Sequence, residues 1–312
     1  MFFGSGSFAL PILEALAGLP DFELAAIVSA PDRPAGRAGS LTPTPAALRA
    51  RELGLPLLQP RRVGSPESMV ALAAIAPDLA VLADYGQLIP ESLIEMPRLG
   101  FLNLHPSALP RHRGASPVPA TILAGDTTSA VTLLCLTAEL DAGPIVASVP
   151  LEVRLDDTAP VVEQRAAAAA ASLLVRTLPD WVAGRIEPVP QAAAGVTMTR
   201  PLRREDGLLD PGHPAAELER QVRAFQPWPG SHLQTPLGRI VVWSSSVEAG
   251  LAGDEPGRLV ADERGLVLPT ASGRLRLETV QLAGGHLMRS IELLRGHPLP
   301  AADPGRTASG SR

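Results

Sequence analysis

From Phe2 to Val182, short apolar runs alternate with Ala/Leu-rich stretches of helical period, and this alternation limits the folds open to the chain. Phe2–Phe3 is a strand stub, followed by helix over Pro11–Ala17, strand over Glu23–Ser29 and helix over Thr44–Glu52. Strand over Leu55–Gln59, helix over Pro66–Ala74 and apolar strands at Leu79–Ala83 and Phe101–Leu104 continue the pattern. Uninterrupted apolar strands of this kind suit a parallel sheet buried on both faces. Ala130–Leu136 and Pro144–Pro150 have no helix between them, so they are expected to pair as an antiparallel hairpin ahead of a long Ala-rich helix, Thr158–Val182. The expected fold class is α/β, a Rossmann-like doubly wound sheet whose ligands sit at the carboxyl ends of the strands.

Composition changes after Gly184. The organisation expected is a first domain over 1–187, a Pro-rich linker over 188–204, a smaller domain over 205–300 and a polar tail over 301–312. In the smaller domain a short helix, Ala215–Ala224, precedes β-like runs at Ser231–Thr235, Arg239–Ser244, Gly257–Val260, Leu266–Leu268 and Leu275–Leu282. That density of short strands points to an OB-fold-like β-barrel.

A single cysteine, Cys135, rules out an internal disulfide and suits a reducing, cytoplasmic setting. No apolar stretch reaches the length of a bilayer span, and no leader pattern is visible. The net charge of −5 argues against wholesale nucleic-acid binding. From Leu202 onward 13 Arg balance 13 Asp plus Glu, so the negative charge resides in the first two-thirds. Every basic side chain is Arg, so any phosphate contact uses forked guanidinium donors.

The strongest motif is Asn103-Leu104-His105-Pro106-Ser107-Ala108-Leu109-Pro110-Arg111-His112-Arg113-Gly114, directly after the strand ending at Leu104. Residues i and i+2 of a strand face the same way. Asn103 and His105 therefore bring an amide donor and a titratable donor to one spot, the pairing that a developing oxyanion needs. The turn Ser107, Ala108, Leu109, Pro110 offers backbone groups to a planar heterocycle. Further on, Asp141-Ala142-Gly143 lies between the hairpin strands; taken alone, an Asp in such a turn is most often only a turn residue.

Together these residues resemble the formyltransferases that use formyltetrahydrofolate, whose signature is an Asn-x-His-x-Ser-x-Leu-Pro run and a later Asp-x-Gly. The resemblance implies a triad of Asn103, His105 and Asp141. Asn103 and a protonated His105 stabilise the oxyanion, and Asp141 keeps His105 charged and helps relay a proton; no metal is needed. It implies 10-formyltetrahydrofolate as formyl donor, held by Ser107, Ala108, Leu109 and Pro110 and by the loop Tyr85, Gly86, Gln87 and Ile89, which is similar to the family's folate-pocket loop. Ala30-Pro31-Asp32-Arg33-Pro34-Ala35-Gly36-Arg37 resembles a loop with which the methionyl-tRNA branch of the family reaches the tRNA acceptor end. Arg33 and Arg37 are its candidate phosphate contacts, although the lysines usual after it are replaced by Ala38-Gly39-Ser40. Val222–Gly230, containing Phe225-Gln226-Pro227-Trp228-Pro229, resembles the branch's marker at the start of its second domain; Phe225 and Trp228 are expected as domain-interface packing. Gln281-Leu282-Ala283-Gly284-Gly285-His286 stands where a basic Gly-Lys-Lys is common, again with less charge. The implied partners are folate and methionyl-initiator tRNA, bound by a monomer with no membrane attachment.

Gly4-Ser5-Gly6-Ser7-Phe8-Ala9 also fits the dinucleotide fingerprint G-x-G-x-x-A. The acidic partner is out of place, since Asp32 falls late, inside the loop. A tight turn beside the active-site cleft is the better expectation. The first strand has only Met1 to Phe3 ahead of Gly4, against about five residues in an ordinary strand. Initiation a few codons upstream is expected, and an intact mass equal to that of these 312 residues would argue otherwise. Transfer to a small amine, an RNA-binding module without catalysis, and nucleotide-dependent redox chemistry are the alternatives.

Overall fold

The computed structural model describes residues 1–35, 39–235 and 237–297. It divides into two compact units, Met1–Pro201 and Leu202–Arg312.

The first unit opens with β1 (Phe2–Gly4) and α1 (Ala9–Ala17), then β2 (Ile27–Val28) and a small exposed hairpin of β3 (Arg33–Ala35) and β4 (Ser40–Thr42). α2 (Pro45–Glu52) starts where expected because Thr44 caps it: its Oγ1 accepts from Ala47 N at 3.1 Å, and Pro45 occupies the first turn. β5 (Leu57–Leu58) follows, then α3 (Pro66–Ile75), capped in the same way by Ser65. β6 (Ala80–Ala83), α4 (Glu91–Ile94), β7 (Phe101–His105), the two-residue β8 (Arg113–Gly114) and α5 (Pro117–Ala124) come next. β9 (Thr128–Cys135) and β10 (Ile145–Glu152) form the expected hairpin, and α6 (Ala159–Val182) the expected long helix, before a last short strand, β11 (Met198–Thr199).

The main sheet runs β10-β9-β7-β6-β1-β2-β5. β5, β2, β1, β6 and β7 are parallel; β9 and β10 are antiparallel additions. Chain order reverses at β1, between β2 on one side and β6 on the other, so the crevice that takes ligands in such sheets lies at the carboxyl ends of these strands. The strands expected over Glu23–Ser29 and Leu55–Gln59 shrink to two residues each. Three-residue β1 presents only Phe2 and Phe3 to Ile27 and Val28, and β2 in turn presents only those two to β5. Three aromatics meet here: Phe3 stands edge-on to Tyr85 at 5.5 Å and lies 4.9 Å from Phe101 in the core beside β1. Such pairs contribute about 0.5–1.5 kcal/mol beyond burial.

In the second unit α7 (Ala215–Ala224) is followed by β12 (Ser231–Thr235), β13 (Gly238–Glu248), β14 (Val260–Asp262), β15 (Gly265–Pro269), β16 (Arg274–Leu282), β17 (Met288–Arg289) and α8 (Ser290–Gly296). The order β12-β13-β16-β15-β14, with β17 on β16, is antiparallel throughout. Leu218 and Val222 of α7 share a core with Ile240, Val242, Leu275, Leu277 and Val280. Of the expected OB-fold-like barrel the antiparallel sheet is present: β12 and β14 are its ends, with no pairing between them among the described residues. Alternating side chains specify a buried face but not whether the edges meet, so strand content was readable and closure was not. Of the two marker aromatics, Phe225 is buried whereas Trp228 is 53% exposed. The tail, 301–312, lies outside the described residues.

Candidate active site

Asn103 and His105 occupy the last turn of the pleat in β7 and point the same way, as the spacing required. Asp141 reaches them from the loop after β9. Asn103 Nδ2 donates to Asp141 Oδ1 at 3.0 Å, and Gly114 N donates to Asp141 Oδ2 at 2.8 Å. His105 Nδ1 stands 3.5 Å from the same Oδ2. All three side chains are close to fully buried, at 5% exposure for Asn103 and His105 and 7% for Asp141. A carboxylate so far from bulk water needs partners on both oxygens, and it has them.

The tautomer of His105 follows from its neighbours. Its Nε2 lies 2.9 Å from the carbonyl of His112. A carbonyl only accepts, so Nε2 carries a proton and donates. Nδ1 faces a carboxylate, also acceptor-only. Both ring nitrogens thus face acceptors. Asn103 retains a second amide hydrogen beyond the one given to Asp141, available to an oxygen in the cleft. His112 itself is buried, with a left-handed backbone at φ 59°. Burial holds its imidazole pKa below the ordinary value, against the opposing pull of Asp126.

The turn after β7 is tied down. Ser107 Oγ donates to Arg111 O at 2.7 Å, and Thr132 Oγ1 donates to Ser107 O at 2.7 Å. Ser107 is fully buried, Ala108 is exposed, and Leu109 and Pro110 lie between. The neighbouring turn after β6 is built differently from a side-chain pocket. Tyr85 packs into the core, where burial pushes its phenol pKa up to about 12 and its hydroxyl has no hydrogen-bond partner among the described residues. Gln87 spans the loop before α3, accepting from Val63 N at 2.9 Å and donating to Pro60 O at 3.1 Å. Ile89 packs against the same core as Tyr85. This turn exposes Asp84, Gly86 and Leu88, the last 83% exposed, so it offers a ligand a carboxyl group, backbone and one apolar side chain. Arg33 is exposed on β3, and Arg37 lies outside the described residues.

The Gly-Ser-Gly turn serves β6 rather than a dinucleotide. Ser5 Oγ accepts from Ala30 N at 3.0 Å and donates to Tyr85 O at 3.1 Å. A Cβ on Gly6 would fall 1.8 Å from Asp84 Oδ2, so glycine here makes room for a carboxyl group. A carboxylate in that position repels the pyrophosphate that the fingerprint would hold. Asp32 is committed elsewhere, to Gln59 Nε2 at 2.7 Å and Arg51 Nη2 at 3.1 Å.

Several residues of the site carry no signal in the sequence. Gln191, Thr197 and Thr199 approach it from 50 to 86 positions along the chain. Gly114 was visible only as the end of the long motif. Its φ of 104° and the Thr199 carbonyl, 2.2 Å from any added Cβ, exclude a side chain.

The formyl transferase family model matches residues 1–178, and the model of the formyl transferase C-terminal domain matches residues 201–298. The chain belongs to the formyl transferase family. Among curated relatives, the methionyl-tRNA formyltransferase of Roseiflexus castenholzii is 38% identical over 97% of this chain and 94% of its own length. That of Halorhodospira halophila is 39% identical over 97% and 98%. Among solved structures, the N-formyltransferase of Helicobacter canadensis superposes with a TM-score of 0.66 over 88% of this chain and 97% of its own, at 14% identity, which speaks for the formyl transferase fold alone.

Proposed function

We propose that this formyl transferase moves the formyl group of 10-formyltetrahydrofolate onto the amino group of methionyl-initiator tRNA. The observation that carries the proposal is the junction of Asn103, His105 and Asp141 at the carboxyl end of β7, within a chain that matches methionyl-tRNA formyltransferases along nearly its whole length.

The residues present suit the donor. β6 and β7 are adjacent and parallel, so the turns 84–88 and 106–112 emerge side by side. Backbone at Gly86 and at Ser107–Pro110 is assigned to the folate ring edges, with Leu88 against a ring face. The folate supplies an activated formyl carbon. The neutral methionyl nitrogen gains a bond to that carbon, the carbon's bond to N10 of the folate breaks, and the amine's proton ends on N10. Asn103 and the His105 ring stabilise negative charge on the formyl oxygen as it develops. Asp141 faces the His105 ring with one oxygen and orients Asn103 through the other. Asp141 helps relay that proton from the amine toward N10.

Residues 1–187 are assigned to catalysis and 205–300 to the tRNA, with Arg33 and Arg37 at the acceptor end. Strand content and antiparallel order support an OB-like reading of the second unit; closure is no part of the proposal. A charged initiator tRNA as substrate places the reaction in the cytoplasm, and a monomer suffices because each chain carries all three site residues.

The test offers charged initiator tRNA, charged elongator methionine tRNA and free methionine in parallel with formyltetrahydrofolate. Transfer confined to the initiator supports the proposal; transfer to free methionine alone overturns it.

A further inference from the structure

Residues 188–199, expected as linker, lie along the active-site loops. Val189 and Ile145 exchange backbone hydrogen bonds at 2.7 and 2.8 Å. β11 pairs in parallel with β8, setting Met198 beside Arg113 and Thr199 beside Gly114. Thr197 Oγ1 accepts from His112 N at 2.8 Å. Thr199 Oγ1 donates to Arg113 O at 3.0 Å and accepts from Ser116 N at 3.1 Å. The segment therefore holds the backbone that supplies the His112 carbonyl to His105 and the Gly114 amide to Asp141.

Between these ends stands Gln191. Its Nε2 donates to the carbonyls of Asp141 and Gly143, both at 2.8 Å. Its Oε1 accepts from Arg113 Nε at 3.1 Å and Nη2 at 2.9 Å. Guanidinium only donates and carbonyls only accept, so the orientation of this amide is settled by its partners. Asp141 needs such support. Its φ is 50°, a left-handed conformation that a side chain with a Cβ disfavours and that persists where the surroundings over-determine it. Gln191 grips both ends of the Asp141–Gly143 turn and, through Arg113, the residue preceding Gly114.

We propose that Gln191 is a positioning residue: it fixes the turn that aims the Asp141 carboxylate at Asn103, His105 and Gly114. The kinetic part of this proposal rests on the formyl-transfer function proposed above.

The test uses the full chain with Gln191→Glu and Gln191→Met. Gln191→Glu keeps an acceptor for Arg113 and removes both donors to the turn. A displaced catalytic group lowers turnover by roughly 10- to 100-fold, so both variants are expected to lose kcat on that scale with KM for folate and tRNA little changed. In an Asp141→Asn background, Gln191→Glu is expected to add less than about a twofold loss, because coupled residues are not additive. Wild-type turnover in Gln191→Glu, or a full multiplicative loss on top of Asp141→Asn, overturns the inference. Amide hydrogen exchange over residues 139–145 reads positioning without any assay. Faster exchange there in Gln191→Met, with the rest of the first unit unchanged, is expected; unchanged protection overturns the inference whatever the acceptor is. An inactive wild type facing initiator tRNA would count against the function alone.

Discussion

Asn103 and Asp141, 38 residues apart in the chain, are joined by a 3.0 Å hydrogen bond in which the amide donates and the carboxylate accepts. The direction matters, because Gly114 N donates to the other carboxylate oxygen. Asp141→Asn puts an amide nitrogen against one of two donors whichever way it turns, and removes the negative charge facing His105. A kcat loss of about 100-fold or more, with the KM for folate held within threefold, is expected from the size of general acid–base effects. Steady-state kinetics decide, and a variant with near wild-type kcat refutes the role.

His105→Ala removes the ring that donates to the His112 carbonyl and faces Asp141. The role proposed for it lies in the transition state, so turnover should fall by roughly 10²- to 10⁴-fold while folate affinity stays. Equilibrium titration with folate beside single-turnover transfer separates the two. Equal losses in both would make His105 a binding residue.

Gly114→Ala brings a Cβ to within 2.2 Å of the Thr199 carbonyl at a φ of 104°. Backbone must move, and a loss of about 2 kcal/mol or more is expected in denaturant unfolding. Turnover should fall further than the unfolded fraction explains, because the Gly114 amide leaves Asp141. Activity that tracks only the folded fraction would separate Gly114 from the site.

Burial raises the Asp84 carboxyl to about 6. The residue as a whole remains exposed, so solvent screening shrinks the energetic consequence. The folded chain binds this proton more tightly than the unfolded one. The stabilisation is therefore complete below the ordinary Asp pKa and is lost as pH rises through about 6. Glu163, raised by burial and then by the Asp84 charge, acts in the same direction. Asp84→Asn should melt about 2–4 °C above wild type at pH 8, corresponding to about 1 kcal/mol after screening, and level with it near pH 4. A pH-independent offset would show that contacts rather than ionisation are responsible. In the same place, Gly6→Ala should destabilise, and Asp84→Ala in the same chain should restore stability, because the collision is with Asp84 Oδ2.

Replacing Arg33 and Arg37 together by Ala should raise the KM for tRNA several-fold, leave the KM for folate alone, and flatten the salt dependence of tRNA binding by about one ion per lost phosphate contact. Equal effects on both substrates would make the loop structural.

The parts of this fold and site that were legible are those encoded at short range. Thr44 and Ser65 announce helix starts one residue ahead, and the apolar runs of β6 and β7 announce buried parallel strands. Asn103 and His105 needed only the two-residue period of a strand. Asp141 needed the family's Asp-x-Gly, since a turn Asp by itself says little. Side-chain direction in the loop after β6 was not legible: the Tyr85 side chain packs into the core and that of Gln87 holds the loop before α3. Gln191 was invisible for a plainer reason. It sits in an Ala- and Gly-rich run without periodicity, and its partners are main-chain groups of Asp141 and Gly143, which no residue type announces.

The two family models stop at residue 178 and resume at residue 201, leaving between them the stretch that laces the loops of the candidate site together. Modularity in this enzyme therefore has a definite seam. A chimaera that takes its amino-terminal half only as far as the recognised domain would inherit Asn103, His105 and Asp141 but borrow their scaffolding from a foreign parent. A crossover placed after Pro201 transplants the candidate site with its own braces, and exchange of acceptor specificity between relatives is best attempted there.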